Sequence, residues 1–241
     1  MSLKILLLQA RRADDPMREQ EVGCFVAQSG IPREGYTPWN LTEGPPTLAE
    51  VRRHDAVMVG GSGDFYVSKR DLPHFEPLLE LLREIVQARH PTFASCFGYQ
   101  CLVEALGGKI IHDPDNLEVG TFECTLTEAG RADPLLSTLP GRFQAQMGHK
   151  DRAQVGPPGT ANLASSERSP NQAFRIPDAP IWATQFHPEL SGDANLARYK
   201  HYLNGYAGHL TQSEVQATFE RFRPSPEASH LLKDFVDLVF G

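Results

Sequence analysis

The sequence predicts an α/β fold in which a mostly parallel β-sheet carries helices on both faces. Two observations support this prediction. Between residues 3 and 95, continuous apolar runs alternate with segments of helical character, which is typical of a parallel sheet that is buried on both sides. From residue 109 to residue 186 the runs become shorter and the loops between them are rich in Pro and Gly, which indicates an antiparallel flank on the same sheet.

The first half of the chain supplies the predicted parallel strands and their helices. The strand candidates are residues 3–9, 36–41, 56–60 and 92–95, the helical candidates between them are residues 18–29, 47–53 and 73–88, and an amphipathic segment follows at 97–106. The opening run, Leu3-Lys-Ile-Leu-Leu-Leu8, is too short for the core of a signal peptide or for a membrane span. We therefore interpret it as a buried first strand.

The second half predicts short strands and then helices. The strand candidates are residues 119–127, 143–149, 171–176 and 181–186, and a helix is predicted at 193–203 with a stop at Asn204-Gly205. Thr211 with Glu214 predicts a capping box, and Ser225-Pro226 predicts a further helix start. We divide the chain into a main domain, residues 1–204, and a C-terminal helical extension, residues 205–241, that packs on the same domain.

The last predicted helix carries an apolar stripe. Its members are Leu231, Leu232, Phe235, Val236, Leu238 and Val239. Such a stripe is the ordinary signature of a helix that docks on a core, although a helix that binds a partner has the same pattern. We favour docking.

Composition excludes several classes of protein. The 241 residues can form one large α/β domain, and a net charge of −7, from 23 basic and 30 acidic residues without a long basic run, argues against a nucleic-acid partner. The four cysteines lack metal-type spacing, and Cys96 and Cys101 are too far apart for a redox CxxC motif. Reduced thiols fit a cytoplasmic location best.

The segment around Cys96 predicts a reactive thiol. The extended run at residues 92–95 ends at Cys96, and the amphipathic segment 97–106 follows at once. A residue placed there stands on a sharp strand-to-helix turn, the geometry of a nucleophile elbow. The N-terminal end of the helix favours the thiolate, and Gly98 permits the close backbone approach that an elbow needs.

A second segment supplies a base and a carboxylate. The alternating run at residues 181–186 predicts a strand that delivers His187 at its end. Because side chains at positions i and i+2 of an extended chain point to the same side, Glu189 can reach the ring of His187. A carboxylate on one ring nitrogen fixes the tautomer and leaves the other nitrogen for catalysis. Cys96, His187 and Glu189 are thus the predicted nucleophile, base and orienting group.

These motifs resemble a known family. Cys96-Phe-Gly-Tyr-Gln100 and Gln185-Phe-His-Pro-Glu189 are similar to the two signature motifs of class I glutamine amidotransferases, the triad type related to the glutaminase domain of GMP synthase. Further similar segments are Gly60-Gly-Ser-Gly-Asp64, Leu106-Gly-Gly-Lys-Ile110, Glu118-Val-Gly120, Gly148-His-Lys-Asp151 and Asn171-Gln-Ala-Phe174. The resemblance covers about residues 3–203. Ala94 departs from it, because the family usually has glycine two residues before the nucleophile.

The resemblance implies a fold and a set of substrate contacts. It implies a flavodoxin-like sheet and assigns residues 1–204 to the amidotransferase domain. The backbone N–H groups of Phe97 and Gly61 would stabilise the oxyanion. Gln100 would help to hold glutamine, and the loop of Gly61, Ser62 and Gly63 would pack against its side chain. The thiolate would attack the side-chain amide and form a γ-glutamyl thioester, with loss of ammonia and then hydrolysis to glutamate.

The family also leaves the fate of the ammonia open. Nothing in the chain resembles the Ser-Gly-Gly-x-Asp-Ser loop of an ATP-using synthase domain, so a synthase partner would have to receive the ammonia. Alternatively, the same three residues could cleave γ-glutamyl peptides or amides without a partner. A non-catalytic regulator is disfavoured, because all three residues and Gln100 are present. The sequence does not determine the oligomeric state.

His149 is an alternative candidate for the base. It lies near Asp151, in a stretch that we interpret as a loop facing an acceptor partner. A loop histidine is more often a surface or hydrogen-bonding residue, and no carboxylate is placed beside His149 by strand geometry. We therefore prefer His187.

We expect neither a metal nor a cofactor. His112, Asp113 and Asp115 lie in a turn around Pro114, which is a poor arrangement for a metal site. The glycine-rich segment that begins at Gly60 lacks the Gly-Lys-Ser/Thr of a phosphate-binding loop. The expected small-molecule partner is glutamine or a γ-glutamyl compound, with no nucleic acid and no membrane.

Overall fold

The described part of the chain, residues 3–203 and 211–241 of this computed structural model, contains a nine-stranded sheet, a separate two-stranded sheet and helices on both faces of the larger sheet. The strands are β1 (Ile5–Ala10), β2 (Tyr36–Asn40), β3 (Ala56–Ser62), β4 (Thr92–Ser95), β5 (Lys109–His112), β6 (Glu118–Leu126), β7 (Arg142–His149), β8 (Asp151–Val155), β9 (Asn162–Ser166), β10 (Ala173–Arg175) and β11 (Ile181–Thr184). The helices are α1 (Met17–Ser29), α2 (Leu48–Val51), α3 (Phe75–Gln87), α4 (Phe97–Ala105), α5 (Glu128–Ala132), α6 (Gly192–His201), α7 (Gln212–Phe219), α8 (Pro226–Ser229) and α9 (Leu231–Phe240).

The strand order in the large sheet is β2-β1-β3-β4-β11-β10-β9-β6-β7. Strands β1 to β4 and β11 run parallel, whereas β10, β9, β6 and β7 form an antiparallel flank. The predicted fold class is therefore confirmed. Strand β9 and the antiparallel pair of β5 with β8 are absent from the prediction.

The sheet separates two apolar layers, because successive residues of a strand point to opposite faces. In β1, Leu6 and Leu8 join the layer beneath α3 and α4, whereas Ile5 and Leu7 join the layer beneath α1 and α9. All four side chains are fully buried. A strand buried on both faces explains why the opening of the chain reads as a continuous apolar run.

The C-terminal helix α9 is part of the second layer. Leu231 and Leu232 are buried, and the ring of Phe235 meets Phe93 and Trp182 edge to face, with centroid separations of 5.6 and 5.9 Å. Each such aromatic pair adds about 0.5–1.5 kcal/mol beyond the burial of its surface. Neither α9 nor any other helix within residues 3–203 and 211–241 is long and apolar enough to cross a membrane.

The structure bears out the predicted helix signals at the C-terminal end to different degrees. Thr211 and Glu214 form the expected capping box at the start of α7. Pro226 is the first residue of α8, but the side chain of Ser225 makes no capping hydrogen bond. The stop at Asn204-Gly205, and with it the boundary between residues 204 and 205, lies outside the described residues.

The register between β4 and β11 decides where the candidate site lies. Ser95 is paired with Thr184, so these two parallel strands end side by side. The residues that follow them, Cys96 after β4 and the segment containing His187 after β11, therefore leave the sheet at the same edge. Carboxyl ends of parallel strands are the usual place for a site in an open α/β sheet.

Candidate active site

Cys96 is the single residue between β4 and α4, and its backbone is strained. Its φ of 49° and ψ of −99° lie outside the regions that residues other than glycine usually adopt. Its N–H donates to the carbonyl of Thr184 at 2.8 Å, which anchors the turn to β11. The predicted strand-to-helix turn is thus confirmed, and it holds the thiol at the N-terminal end of α4.

Close packing under the elbow explains two small residues. A Cβ atom on Gly98 would lie 2.6 Å from the Cβ atom of Val59, so α4 can approach β3 only with glycine there. Ala94 pairs with Val59 and Ala183 in the middle of the sheet. Because its backbone is ordinary extended strand, the alanine that departs from the family pattern introduces no strain.

His187 and Glu189 form a buried pair next to the thiol. Strand β11 ends at Thr184, earlier than predicted, and His187 lies beyond its end. Nδ1 of His187 lies 2.6 Å from Oε1 of Glu189, as the i, i+2 spacing predicts. Both side chains are at most 5% exposed, and Cys96 lies close enough to His187 to help raise the pKa of its ring. The structure therefore brings the three predicted catalytic residues together.

The charges of this group determine its protonation. Burial alone would lower the pKa of His187, but the charges of Glu189 and Cys96 and the hydrogen bonds to both outweigh it and raise the pKa to about 10. Burial alone would raise the pKa of Glu189, but the imidazolium and, more weakly, Arg198 outweigh it and lower the pKa to about 2. At neutral pH the pair is thus an imidazolium next to a carboxylate.

Gln185 is a site residue that the sequence reasoning missed. Its Nε2 donates to Sγ of Cys96 at 3.7 Å, and its Oε1 accepts from Nε2 of Gln100 at 3.1 Å. The same Nε2 of Gln100 donates to the carbonyl of Asp151 at 2.8 Å. Both N–H bonds of Gln100 are therefore used inside the protein, which leaves its carbonyl oxygen to accept from a substrate. The spacing that pairs His187 with Glu189 also places Gln185 on that side and could have identified it.

The position of Gly61 requires a correction. The prediction assigns its N–H to the oxyanion, but this N–H donates to Oε1 of Glu21 at 3.2 Å. Gly61 is also part of strand β3, which extends to Ser62, two residues beyond its predicted end. The N–H is drawn to a buried carboxylate of α1, and sequence proximity gives no sign of this partner because 40 residues separate the two.

The other predicted substrate contacts lie around one open pocket of about 490 Å³. Ser62, Gly63, Phe97 and Gln100 line this pocket together with Cys96. Its remaining walls are polar and aromatic: Arg12, Asp14, Asp15, Pro16, Asp64, Phe65, Tyr66, Gly148, His149, Lys150, Asp151, His201 and Tyr202. The volume is in the range of small-molecule sites, and the charged walls suit a polar ligand.

Lys150 brings a cationic group to this pocket. Its Nζ donates to the hydroxyl of Tyr66 at 2.8 Å. Partial burial and the charge of Lys69, only partly offset by Asp151, lower the pKa of Lys150 to about 8. The group therefore remains mostly cationic at neutral pH and is a candidate contact for an anionic part of a ligand.

The interpretation of His149 also requires a correction. His149 is the last residue of β7, not a loop residue, and it is 4% exposed. It does have a carboxylate beside it, because Glu118 is its direct partner across β6 and β7, with Nε2 and Oε2 3.1 Å apart. Its Nδ1 lies 3.1 Å from the carbonyl oxygen of Asp151. Both ring nitrogens thus face oxygen atoms of the protein.

The polar cluster near Pro114 is held by contacts between its own side chains and residues of β8. Nδ1 of His112 lies 2.9 Å from Oδ1 of Asp151, and Nε of Arg152 donates to Asp113 at 2.7 Å. No group of three or more His, Cys, Asp or Glu side chains in the described parts of the chain is arranged to hold a metal ion.

Comparison with known proteins matches this chain to a family model. The model described as glutamine amidotransferase class-I matches residues 40–200. The chain is 31% identical over 155 residues to a GMP synthase [glutamine-hydrolyzing] of Thermosipho africanus, a match that covers 64% of this chain and 27% of that protein. It is 28% identical over 168 residues to the putative glutamine amidotransferase-like protein YfeJ of Salmonella typhimurium, covering 69% of this chain and 66% of that one. The chain thus spans under a third of the length of such GMP synthases.

Solved structures share the fold. A glutamine amidotransferase from Thermotoga maritima superposes over 100% of both chains with a TM-score of 0.71 at 19% identity. One from Methylobacillus flagellatus superposes over 98% of this chain and 95% of its own, with a TM-score of 0.70 at 20% identity. At these identities the likeness concerns the arrangement of strands and helices.

Proposed function

The chain belongs to the class I glutamine amidotransferase family, and from this premise we propose that it hydrolyses the side-chain amide of glutamine through Cys96, His187 and Glu189. The observation that carries the proposal is the contact between Nδ1 of His187 and Glu189 at 2.6 Å, next to the thiol of Cys96 at the strained elbow. A nucleophile, a proton-transfer group and an orienting carboxylate in contact are what acyl transfer through a thioester needs.

The first half of the reaction forms the thioester. The thiolate of Cys96 attacks the amide carbon, and the oxyanion accepts from the N–H of Phe97 at the start of α4. With a pKa of about 10, His187 carries a proton at neutral pH and can give it to the departing ammonia. Glu189 stabilises the imidazolium before this transfer and keeps the ring in place after it.

The second half releases glutamate. His187, now neutral, takes a proton from water, and the resulting hydroxide attacks the γ-glutamyl thioester. Collapse of the second tetrahedral intermediate breaks the C–S bond and returns the thiolate. Since the N–H of Gly61 donates to Glu21, Phe97 is the member of the predicted oxyanion pair that lines the pocket.

Substrate glutamine would lie in the pocket beside Cys96. The carbonyl oxygen of Gln100 offers an acceptor for an N–H group of the substrate, and Lys150 offers a cation for a carboxylate. The released ammonia would pass to a synthase partner, as the match to one segment of GMP synthases suggests. The acceptor of the ammonia would then be bound outside this chain.

The size of the pocket favours one second candidate. A volume of about 490 Å³ and walls that extend from Cys96 to Tyr202 leave room for more than a free amino acid. A γ-glutamyl peptide or amide would react through the same thioester with a different leaving amine. A non-catalytic regulator is a poorer candidate, because Cys96, His187, Glu189 and Gln100 are all present in the chain.

Glutamate release by the purified chain from L-glutamine and from a γ-glutamyl dipeptide tests the proposal, with Cys96→Ala as the control. We expect release from glutamine that falls by about 10⁶-fold in the variant, because the nucleophile is lost while the elbow remains. A faster reaction with the dipeptide would instead support the second candidate. Undiminished release by folded Cys96→Ala would exclude the mechanism.

A further inference from the structure

A row of buried charged side chains continues from the candidate triad into the protein. Nη1 of Arg198, on α6, lies 3.5 Å from Oε1 of Glu189, and its Nη2 lies 3.6 Å from Oε1 of Glu21 on α1. Arg11 holds the far side of Glu21, with Nη2 at 2.9 Å and Nε at 3.2 Å. Charges of alternating sign thus run from Glu189 to Arg11, and none of these four side chains is more than 8% exposed.

The carboxylate of Glu21 also rests on the backbone of β3. It accepts the N–H of Gly61 at 3.2 Å and the side-chain amide of Gln9 at 3.0 Å. A Cβ atom on Gly60 would lie 2.6 Å from its Oε1, and one on Gly61 would lie 2.9 Å from Cε1 of His187. The diglycine is therefore enclosed between the carboxylate and the imidazole, and only glycine fits at both positions.

Stability alone is a weak reason for such a row. Withdrawing charged groups from water costs several kcal/mol per ion, and well-packed apolar side chains often serve a core equally well. Apolar side chains could not, however, fix the carboxylate of Glu189 or accept the N–H of Gly61. This row therefore differs from an apolar core in its contacts with Glu189 of the candidate triad and with Gly61 of β3.

We propose that Glu21 and Arg198 are positioning residues for the reaction of Cys96. Arg198 holds the carboxylate of Glu189 in line with His187, and Glu21 holds both Arg198 and the Gly61 peptide. The carboxylate of Glu21 thereby fixes the position of the His187 imidazole relative to the end of β3. In its consequence for glutamine turnover, the proposal rests on the proposed function.

Two substitutions test the positioning role in turnover. Glu21→Gln keeps the shape of the side chain and removes its charge, and Arg198→Lys keeps the charge but cannot contact two carboxylates with a planar fork. We expect kcat for glutamine to fall by about 10- to 100-fold with KM changed by less than about threefold, because orientation is lost and substrate contacts remain. Cooperative thermal unfolding establishes that each variant is folded.

The matched control is Glu19→Gln, on the same helix. Glu19 is 79% exposed, and its ion-pair partner is Arg33, 3.6 Å away, which is not part of the row. The Glu19→Gln variant loses the same charge as Glu21→Gln, and we expect it to keep the kcat and KM of the wild-type chain. Folded Glu21→Gln and Arg198→Lys variants with the kcat of this control would overturn the proposal.

A second measurement needs no substrate. Iodoacetamide alkylation of Cys96, followed by mass spectrometry of its peptide, reports the reactivity of the thiol next to His187. Burial raises the pKa of Cys101 and Cys124 well above the ordinary value, so these thiols react slowly. We expect the alkylation of Cys96 to slow by about 10-fold in Arg198→Lys, because misplaced Glu189 supports the imidazolium less well.

The two measurements separate this proposal from the proposed function. A wild-type chain that is inert towards glutamine, but whose Cys96 alkylation slows in Arg198→Lys and not in Glu19→Gln, would sustain the positioning role and overturn the assigned substrate. Wild-type glutamine hydrolysis with unchanged alkylation and unchanged kcat in the folded variants would overturn the positioning role alone. If Glu21→Gln does not fold, the kcat and the Cys96 alkylation rate of Arg198→Lys test the positioning role.

Discussion

Residues 3–203 and 211–241 contain two buried histidine–glutamate pairs, and the two differ in what lies beside the ring. His187 contacts Glu189 at 2.6 Å through Nδ1 and lies next to the thiol of Cys96 as well. His149 lies 3.1 Å from Glu118 at Nε2 and 3.1 Å from a backbone carbonyl at Nδ1. A carboxylate beside a histidine is therefore not enough to make a catalytic base, since the ring must also reach a reacting group.

The two pairs also arise differently in the chain. Glu189 is two residues from His187, so the pairing follows from local geometry. Glu118 and His149 are brought together by the register of β6 and β7. The first pair lies where two parallel strands end, whereas the second belongs to the antiparallel flank and fixes the end of a strand against its neighbour. From this difference we propose that the first pair takes part in the reaction and that the second holds two strands together.

The two pairs should differ most in their effect on kcat when each imidazole ring is removed. We expect His187→Asn to lower kcat for glutamine by at least about 10⁴-fold, because proton transfer and thiolate stabilisation are both lost. His149→Asn should keep kcat within about 10-fold, although its unfolding midpoint should fall because, in the described part of the chain, the buried Glu118 keeps only the hydrogen bond from Gln172. Steady-state kinetics and urea unfolding of both variants provide the measurement. Equal losses of kcat in two folded variants would refute the division of roles.

A smaller effect is expected when each carboxylate is neutralised. Glu189→Gln should lower kcat by about 10²- to 10⁴-fold, because the nucleophile survives while the orientation and stabilisation of the imidazolium are weakened. Glu118→Gln should change kcat by less than about fivefold, since the group it holds touches no reacting atom. The ratio of the two kcat values is the test, and a ratio near one would show that the pairs are equivalent.

Local patterns in the sequence predicted the parallel half of the fold and the residues of the candidate triad. The extended run at residues 92–95 leads directly to Cys96, and the helix after it begins at once, so the elbow is visible within residues 92–106. Glu189 follows from the same kind of local geometry. In each case the chain supplies both partners within a few positions.

Contacts between distant segments could not be predicted in this way. The pairing of Glu118 with His149 depends on the register of β6 and β7, and a shift of one residue would separate the two. The contact of Gly61 with Glu21 joins a strand to a helix 40 residues earlier.

The smallest expected effect concerns stability, and it follows from the shifts at His187 and Glu189. The pKa of His187 is raised to about 10, so its contribution is complete below the ordinary value near 6.5 and is lost as pH rises towards 10. The pKa of Glu189 is lowered to about 2, so its contribution is complete above about 4.5 and is lost as pH falls towards 2. The pair therefore stabilises the fold most between about pH 4.5 and 6.5.

Urea unfolding of the wild type and of His187→Asn at several pH values tests this contribution, because the titrating groups that do not interact with His187 cancel in the difference. Between pH 6.5 and 9 the folded wild type holds a proton on His187 that the unfolded chain has released. The stability advantage of the wild type over the variant should thus shrink by up to about 1.4 kcal/mol per pH unit. An advantage that stays constant or grows over this range would mean that His187 is neutral in the folded protein, and the imidazolium could then not supply the proton for the leaving ammonia.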